Sequence, residues 1–176
     1  MEEVGILFDA RINDETYQGH FSRMEMPMHL QDTVKDILKM KGNEVWSVPP
    51  EARVYDAIEK MADKHVGALL VMTEGKLIGI ISERDYARKV ILRGKSSKLM
   101  QVKEIMVTPV IFVGPDHTVQ DCMRIMTEGH IRHLPVVEKE NIQGVVSIGD
   151  LVKRIISAHE ETIHHLEQYI TSAYPG

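Results

Sequence analysis

The stretch Gly79-Ile80-Ile81-Ser82-Glu83-Arg84-Asp85 reads as the end of a buried strand running into the first turn of a helix. Isoleucines close the strand. Ser82 and Asp85 stand three residues apart, the spacing at which a hydroxyl and a carboxylate cap a helix. The same device returns as Gly144-Val145-Val146-Ser147-Ile148-Gly149-Asp150, so the chain reads as two related halves.

Laying residues 45–91 over 110–156, an offset of 65 without a gap, gives 13 identities in 47 positions. Val54 and Val119, Met61 and Met126, His65 and His130, Leu69 and Leu134, and Gly79 and Gly144 are among them. Val34-Lys35-Asp36-Ile37 also matches Val102-Lys103-Glu104-Ile105, now at an offset of 68. The difference of three falls near Lys41-Gly42-Asn43, where a surface loop tolerates insertion.

Each repeat predicts strand, helix, strand, strand, helix. Short strands over 45–48 and 110–113 precede turns containing proline. Helical spacing puts Val54, Ala57, Ile58 and Met61 on one apolar stripe, and Val119, Cys122, Met123 and Met126 on its counterpart. Strands follow over 68–72 and 77–81, then over 134–137 and 142–146, with turns at Glu74-Gly75 and Glu140-Asn141. A second helix begins near Asp85 and near Asp150. Ahead of the repeats, Asp32-Thr33 caps a short helix over 34–40. Residues 1–32 have no clear period and read as an irregular arm, packed on a partner subunit or mobile. At the other end the apolar stripe Val152, Ile155, Ile156, His159, Ile163, Leu166 and Ile170 outlasts the repeat, which suggests packing on the sister repeat or another subunit. The divisions are an arm over 1–32, repeats over 33–98 and 99–157, and a helical extension over 158–176.

Composition sets outer limits. With 176 residues, 43% hydrophobic and 27% charged, the chain is long enough to bury a core and ordinary for a globular protein. A formal charge of −5 offers no general attraction to nucleic acid or to an anionic membrane, although a local basic patch remains compatible with it. No apolar run reaches the roughly 18 residues of a membrane span. The acidic start Met1-Glu2-Glu3 lacks the pattern of a signal or transit peptide. A single cysteine, Cys122, forms no internal disulfide, which points to a reducing compartment and by default to the cytoplasm.

The chemistry concentrates at the two strand-to-helix turns. A carboxylate that opens a helix can accept two ribose hydroxyls, while first-turn amides and a serine hydroxyl face an anion. Taken one position at a time, capping alone would account for Ser82, Asp85, Ser147 and Asp150, whereas their repetition shifts the reading toward binding. Arg84 needs a further reason, and a guanidinium suits a phosphate. Arg132 and His133 lead into Leu134-Pro135-Val136, where alternation aims one to each face of a strand. The alternatives there are a phosphate partner that titrates near neutrality or one exposed arginine with one satisfied histidine. His65 and His130 read as helix C-caps. His159, His164 and His165 lack the spacing of a zinc helix, so no metal site is expected. Cys122, Met61, Met123 and Met126 read as core. Arg88, Lys89, Arg93, Lys95 and Lys98 form a basic run that reads as a solvated face, or as an attraction for polyphosphate if a binding cleft opens toward it. No catalytic set is visible.

Read together, Val54 to Met61, Val66-Gly67-Ala68-Leu69-Leu70-Val71, the opening stretch, Ile131-Arg132-His133-Leu134-Pro135-Val136 and Gly144 to Asp150 resemble the CBS domain, named after cystathionine β-synthase, in the tandem form called a Bateman module. The resemblance covers about residues 34–157. Ser82 to Tyr86, Gly94-Lys95-Ser96-Ser97-Lys98 and Ile131 to His133 are also similar to small stand-alone CBS-pair proteins of bacteria and plant organelles.

The resemblance implies an α/β (α+β) protein of two pseudo-symmetric units, a homodimer through helices, and a non-enzymatic regulatory role. Its ligands would be adenosyl nucleotides, AMP first and ATP or NAD next, bound in clefts between the repeats. One cleft would use Ile80, Ser82, Arg84 and Asp85 with Pro109, Ile111 and Ile131. The other would use Val145, Ser147 and Asp150, with Arg132 and His133 toward phosphate and Val45, Trp46 and Val66 around the base. Binding would change the dimer's shape or its surface for a regulated partner. Gly149 stands where Arg84 stands, and Gly67-Ala68 where Arg132-His133 stand, so the clefts are not equivalent. Trp46 fills a position that is often small in the family, and either stacks on an adenine or blocks the cleft. The competing readings are an interaction scaffold with empty clefts and an enzyme acting on a nucleotide.

Overall fold

A computed structural model describes residues 32–173, with side chains in the last helix described as far as His164. Apart from Asp32, the expected N-terminal arm lies outside the described residues, as do the side chains of His165, Leu166 and Ile170. In chain order the elements are α1 (Val34–Lys41), β1 (Ser47–Val48), α2 (Val54–Lys64), β2 (Ala68–Thr73), β3 (Lys76–Ser82), α3 (Glu83–Lys89), α4 (Val119–Glu128), β4 (His133–Glu138), β5 (Asn141–Ser147) and α5 (Ile148–Ala173). Single turns of 3-10 helix lie at Ile91–Arg93 and Val102–Glu104. The mixed helix and strand class read from the sequence is the one observed.

The chain divides into two compact units. The first, Glu44–Phe112, has a sheet ordered β1-β2-β3, with β1 parallel and β3 antiparallel to β2. Val54, Ala57 and Met61 bury the stripe of α2 against Leu69, Val71 and Ile81, and Val102 and Ile105 complete this core. Val107 then extends the sheet edge, its N–H donating to the Ile80 carbonyl at 2.8 Å and its carbonyl accepting from Ile80 at 3.1 Å.

The second unit takes residues 32–43 together with 113–173. Its sheet is the β4-β5 hairpin, on which Leu38 of α1 lies against Gly144 of β5. Val119, Cys122 and Met126 of α4 and Leu134, Val136, Val146 and Leu151 are all buried. Helix α5 runs unbroken past the end of the repeat.

The helix that opens the first sequence repeat therefore packs in the second unit, and the matching segment at 102–105 packs in the first. Backbone bonds repeat the exchange residue for residue. Val102 and Lys103 donate to the carbonyls of Ala52 and Pro50, as Val34 and Lys35 donate to those of His117 and Pro115.

Two sequence expectations need correction. The strand expected over 110–113 is reduced to one parallel bridge between Val113 and Val136. In the first unit Leu70 donates its N–H to the Trp46 carbonyl, which anchors β1. Its counterpart Pro135 has no N–H to give to Ile111, and the ladder is lost there. The second hairpin turn is Lys139-Glu140 rather than Glu140-Asn141. Both of its residues have positive φ, 48° and 68°, and Glu138 pairs with Asn141.

Candidate ligand site

In the first unit β3 ends at Ser82, which caps α3. The Ser82 hydroxyl donates to Asp85 Oδ2 at 2.6 Å and its N–H to the same oxygen at 3.2 Å, while the Asp85 N–H returns to Ser82 Oγ at 3.3 Å. Lys89, one helical turn on, contacts Asp85 Oδ1 at 3.0 Å and donates to the Ile105 carbonyl at 2.7 Å. Lys89 thus leaves the solvated basic run expected from the sequence and ties the carboxylate to the segment covering the sheet. Helix α3 has only seven residues, so attraction for an anion there rests on Arg84, half-buried in its first turn, more than on the helix dipole.

The second unit repeats the box. Ser147 donates to Asp150 Oδ2 through its N–H at 2.7 Å and its hydroxyl at 2.8 Å. Here the cation comes from elsewhere: Lys41, the last residue of α1, donates to the same oxygen at 2.7 Å. The residue one turn along α5, Arg154, is engaged by Asp32 at 2.6 Å and Glu161 at 3.4 Å. Burial pushes the Asp150 carboxyl up, but the bonds from Lys41 and Ser147 outweigh it and hold the group below the usual carboxylate range.

Capping boxes of the same kind occur at Thr33–Asp36 and Thr118–Asp121. The box is therefore not by itself the mark of a site. Those two boxes have cations as well, Lys39 on Asp36 and Arg124 on Asp121. The serine turns differ in closing a sheet strand, β3 or β5, and in the route by which a further basic residue reaches each. In the first unit it is Arg84, inside the turn. In the second, Ile148 donates its N–H to the Arg132 carbonyl at 2.9 Å and His133 pairs with Ser147. The matching bond in the first unit, Glu83 N–H to the Gly67 carbonyl at 3.2 Å, brings up a glycine.

The other expected residues fall as follows. Ile80 and Val145 are half-buried near the ends of their strands, and Val145 faces Pro135 in the register. Pro109, in a cis peptide with Thr108, is exposed, and Ile111 is half-buried. Ile131 donates to the Met126 carbonyl at 3.0 Å, just before Arg132, which is exposed. Val45 precedes Trp46; Trp46 and Val66 pack on the first unit's core. The Trp46 ring lies under two ammonium groups of α2, Lys64 at 4.2 Å and Lys60 at 6.0 Å from its centroid.

Sequence reasoning missed Lys41 and the pairing of Lys89. The second was readable as an i,i+4 pair with Asp85. The first was not, since 109 residues separate Lys41 from Asp150. His65 is the left-handed C-cap of α2, as expected; His130 lies one residue beyond the C-cap Gly129, also left-handed. Cys122 is fully buried, and burial pushes its thiol up to about 12. Among the described residues no His, Cys, Asp and Glu group could hold a metal, and no helix is long and apolar enough to cross a membrane.

The CBS domain matches over residues 33–91 and again over 102–157. The CBS domain-containing protein CBSX3, mitochondrial, of Arabidopsis thaliana is 39% identical over 163 residues, 87% of this chain and 79% of that one. A protein with CBS domains from Burkholderia ambifaria MC40-6 superposes with a TM-score of 0.70 at 47% identity, covering 72% of this chain and 95% of its own. The CBS-domain containing protein ATU1752 of Agrobacterium tumefaciens gives 0.67 at 35% identity, over 69% and 98%. Two family matches that together span more than half of its length establish that this chain belongs to the CBS-domain family, whose paired domains are generally regulatory, nucleotide-binding modules.

Proposed function

We propose that this chain is a non-catalytic regulatory module that binds an adenosyl nucleotide, AMP first and ATP or NAD next, at its Ser-x-x-Asp turns. In this reading, binding alters the shape of a homodimer or the surface offered to a regulated protein. The observation that carries the reading is the basic group beside each turn, Arg84 in one and Arg132 with His133 in the other. An ionised carboxylate accepts the hydroxyls of a ribose, and a cation next to it favours the phosphate that follows. The homodimer draws support from Val152, Ile156 and Ile163, large apolar side chains exposed along α5. A reducing compartment, the cytoplasm in the first instance, fits the lone buried cysteine.

One observation favours the scaffold reading for the second turn's ligand. Trp46, expected around the base, is already covered by Lys64 and packed on its own core.

Titration calorimetry with AMP, ATP, NAD and S-adenosylmethionine on the wild type and on Asp85→Ala tests the proposal. One adenosyl ligand should bind, and the variant should lose the share of binding that belongs to the first turn. Binding unchanged in Asp85→Ala removes the site at the first turn, and a chain that takes up none of the four is a scaffold. Trp46 is the single tryptophan, so a change in its fluorescence during the titration reports a ligand that reaches the first unit's sheet edge.

A further inference from the structure

In the second repeat, α5 continues where the first repeat breaks off. Helix α3 stops at Lys89, and the chain turns through Ile91–Arg93 and a loop before re-entering the core at Met100. The loop is a built structure. Val90 and Met100 anchor its ends in the core, Lys95 donates to the Val90 carbonyl at 3.0 Å, and Leu99 donates to that of Ser96 at 3.1 Å. The fold does not need it, because the other repeat does without it. The family matches also leave residues 92–101 out.

Its chemistry is one-sided. Residues 86–103 carry six lysines and arginines and no acidic residue, in a chain whose net charge is −5. Leu92 and Leu99, 79% and 85% exposed, are the least covered large apolar side chains of the described residues, and Ile91 beside Leu92 is exposed as well. Arg88, Arg93, Lys95 and Lys98 of the same segment are exposed too. Tyr55 of α2 adjoins the loop, its N–H donating to the Ser97 carbonyl and its ring lying 5.3 Å from the Lys98 ammonium.

We propose that this loop docks the chain onto an anionic lipid surface, with Leu92 and Leu99 entering the acyl boundary and the surrounding cations on the headgroups. Charge complementarity selects this occupant. A second copy meeting the patch face to face would set like charges together, and a nucleic acid would take the cations but leave the leucines in water. A bilayer of anionic lipid satisfies both groups, and a tyrosine at the rim suits its interface. The inference does not depend on the nucleotide reading.

Sedimentation with vesicles of phosphatidylcholine, and of phosphatidylcholine mixed with phosphatidylserine, tests it on the full chain. The wild type should bind the mixed vesicles alone, and more weakly as salt rises. Arg93→Gln with Lys95→Gln should weaken binding roughly thirtyfold, at about fivefold for each charge. Leu92→Ser with Leu99→Ser should weaken it at least about tenfold. All four side chains are exposed, so circular dichroism and melting should match the wild type. Failure to bind the mixed vesicles overturns the proposal, as does a leucine variant that binds like the wild type. A leucine variant that shrinks the oligomer in light scattering, with no vesicle binding by either form, assigns the patch to a contact between copies and overturns it as well.

Discussion

Leu38 stands so close to Gly144 that a Cβ built on the glycine would lie 2.7 Å from Leu38 Cδ2 and 3.1 Å from Cδ1. Met106 and Gly79 repeat the relationship in the first unit, with Sδ at 2.6 Å and Cγ at 3.2 Å. The glycines are 65 residues apart and their apolar covers 68, the same two offsets that align the strands and the lead-in segments. Each glycine is thus the seat on which a lead-in segment packs.

Gly144→Ala should cost about 1–3 kcal/mol, the usual penalty for overpacking a core. Both Leu38 methyls oppose the new carbon and branch from one atom, so they cannot both withdraw. Gly79→Ala should cost less, since the unbranched Met106 can shift its thioether aside. Urea denaturation of both variants checks the order. Leu38→Ala in the Gly144→Ala background should restore part of the loss, a coupling that a double-mutant cycle measures.

Most of this architecture was legible in the sequence, because apolar period and capping residues act locally. Val54 to Met61 and Val119 to Met126 each show a helical stripe, and the hairpins show β-branched runs between turns. The equivalence of Val34–Ile37 and Val102–Ile105 was visible as well. Which sheet each segment covers was not, since two equal segments and two equal sheets pair either way in a linear comparison. The same holds for the site. Ser82, Asp85, Ser147 and Asp150 announce their boxes three residues apart, whereas the Lys41 contact to Asp150 is made only once α1 is seated. The missing strand at 110–113 was in principle readable from Pro135, but only with the register in hand.

The Lys139-Glu140 turn holds two side-chain-bearing residues at positive φ, where its counterpart has Glu74-Gly75. Left-handed backbone costs an ordinary residue roughly 1 kcal/mol, and two-residue hairpins of this kind favour Asn-Gly. Lys139→Asn with Glu140→Gly should therefore raise stability by about 1 kcal/mol, seen as a melting temperature a few degrees higher. The reverse change in the first hairpin, Gly75→Glu, should lower it by a similar amount.

Asp36 gives the caps a pH signature. Its bonds from the Thr33 side chain and from Lys39 hold its carboxyl at about 2, below the ordinary 3.8. The folded chain then binds this proton less readily than the unfolded chain. The resulting stability is fully present above about pH 4 and is lost as the pH falls through about 2. With the side chain 46% exposed, the contribution is at most about 1 kcal/mol. Asp36→Asn should be less stable than the wild type at neutral pH, and the difference should close as acid is added. A gap that stays constant down to pH 2 would assign the loss to geometry rather than charge.

Arg84 and Gly149 occupy matching positions in otherwise matching turns, which makes them a controlled comparison. If the proposed ligand meets the first turn with its phosphate toward Arg84, charge-assisted hydrogen bonds to that group are worth about 1.5–3 kcal/mol. Arg84→Gly, which copies the second turn, should therefore weaken AMP binding about ten- to hundredfold while leaving adenosine nearly unchanged. Asp85→Ala should instead weaken both ligands alike, because the ribose is common to them. Melting curves separate these effects from damage to the fold: Asp85→Ala removes an acceptor of Ser82 and Lys89 and should destabilise the chain, whereas Arg84 belongs to neither arm of the capping box. Equal losses for AMP and adenosine in Arg84→Gly would move the phosphate away from this arginine and leave the carboxylate as the turn's contribution to binding.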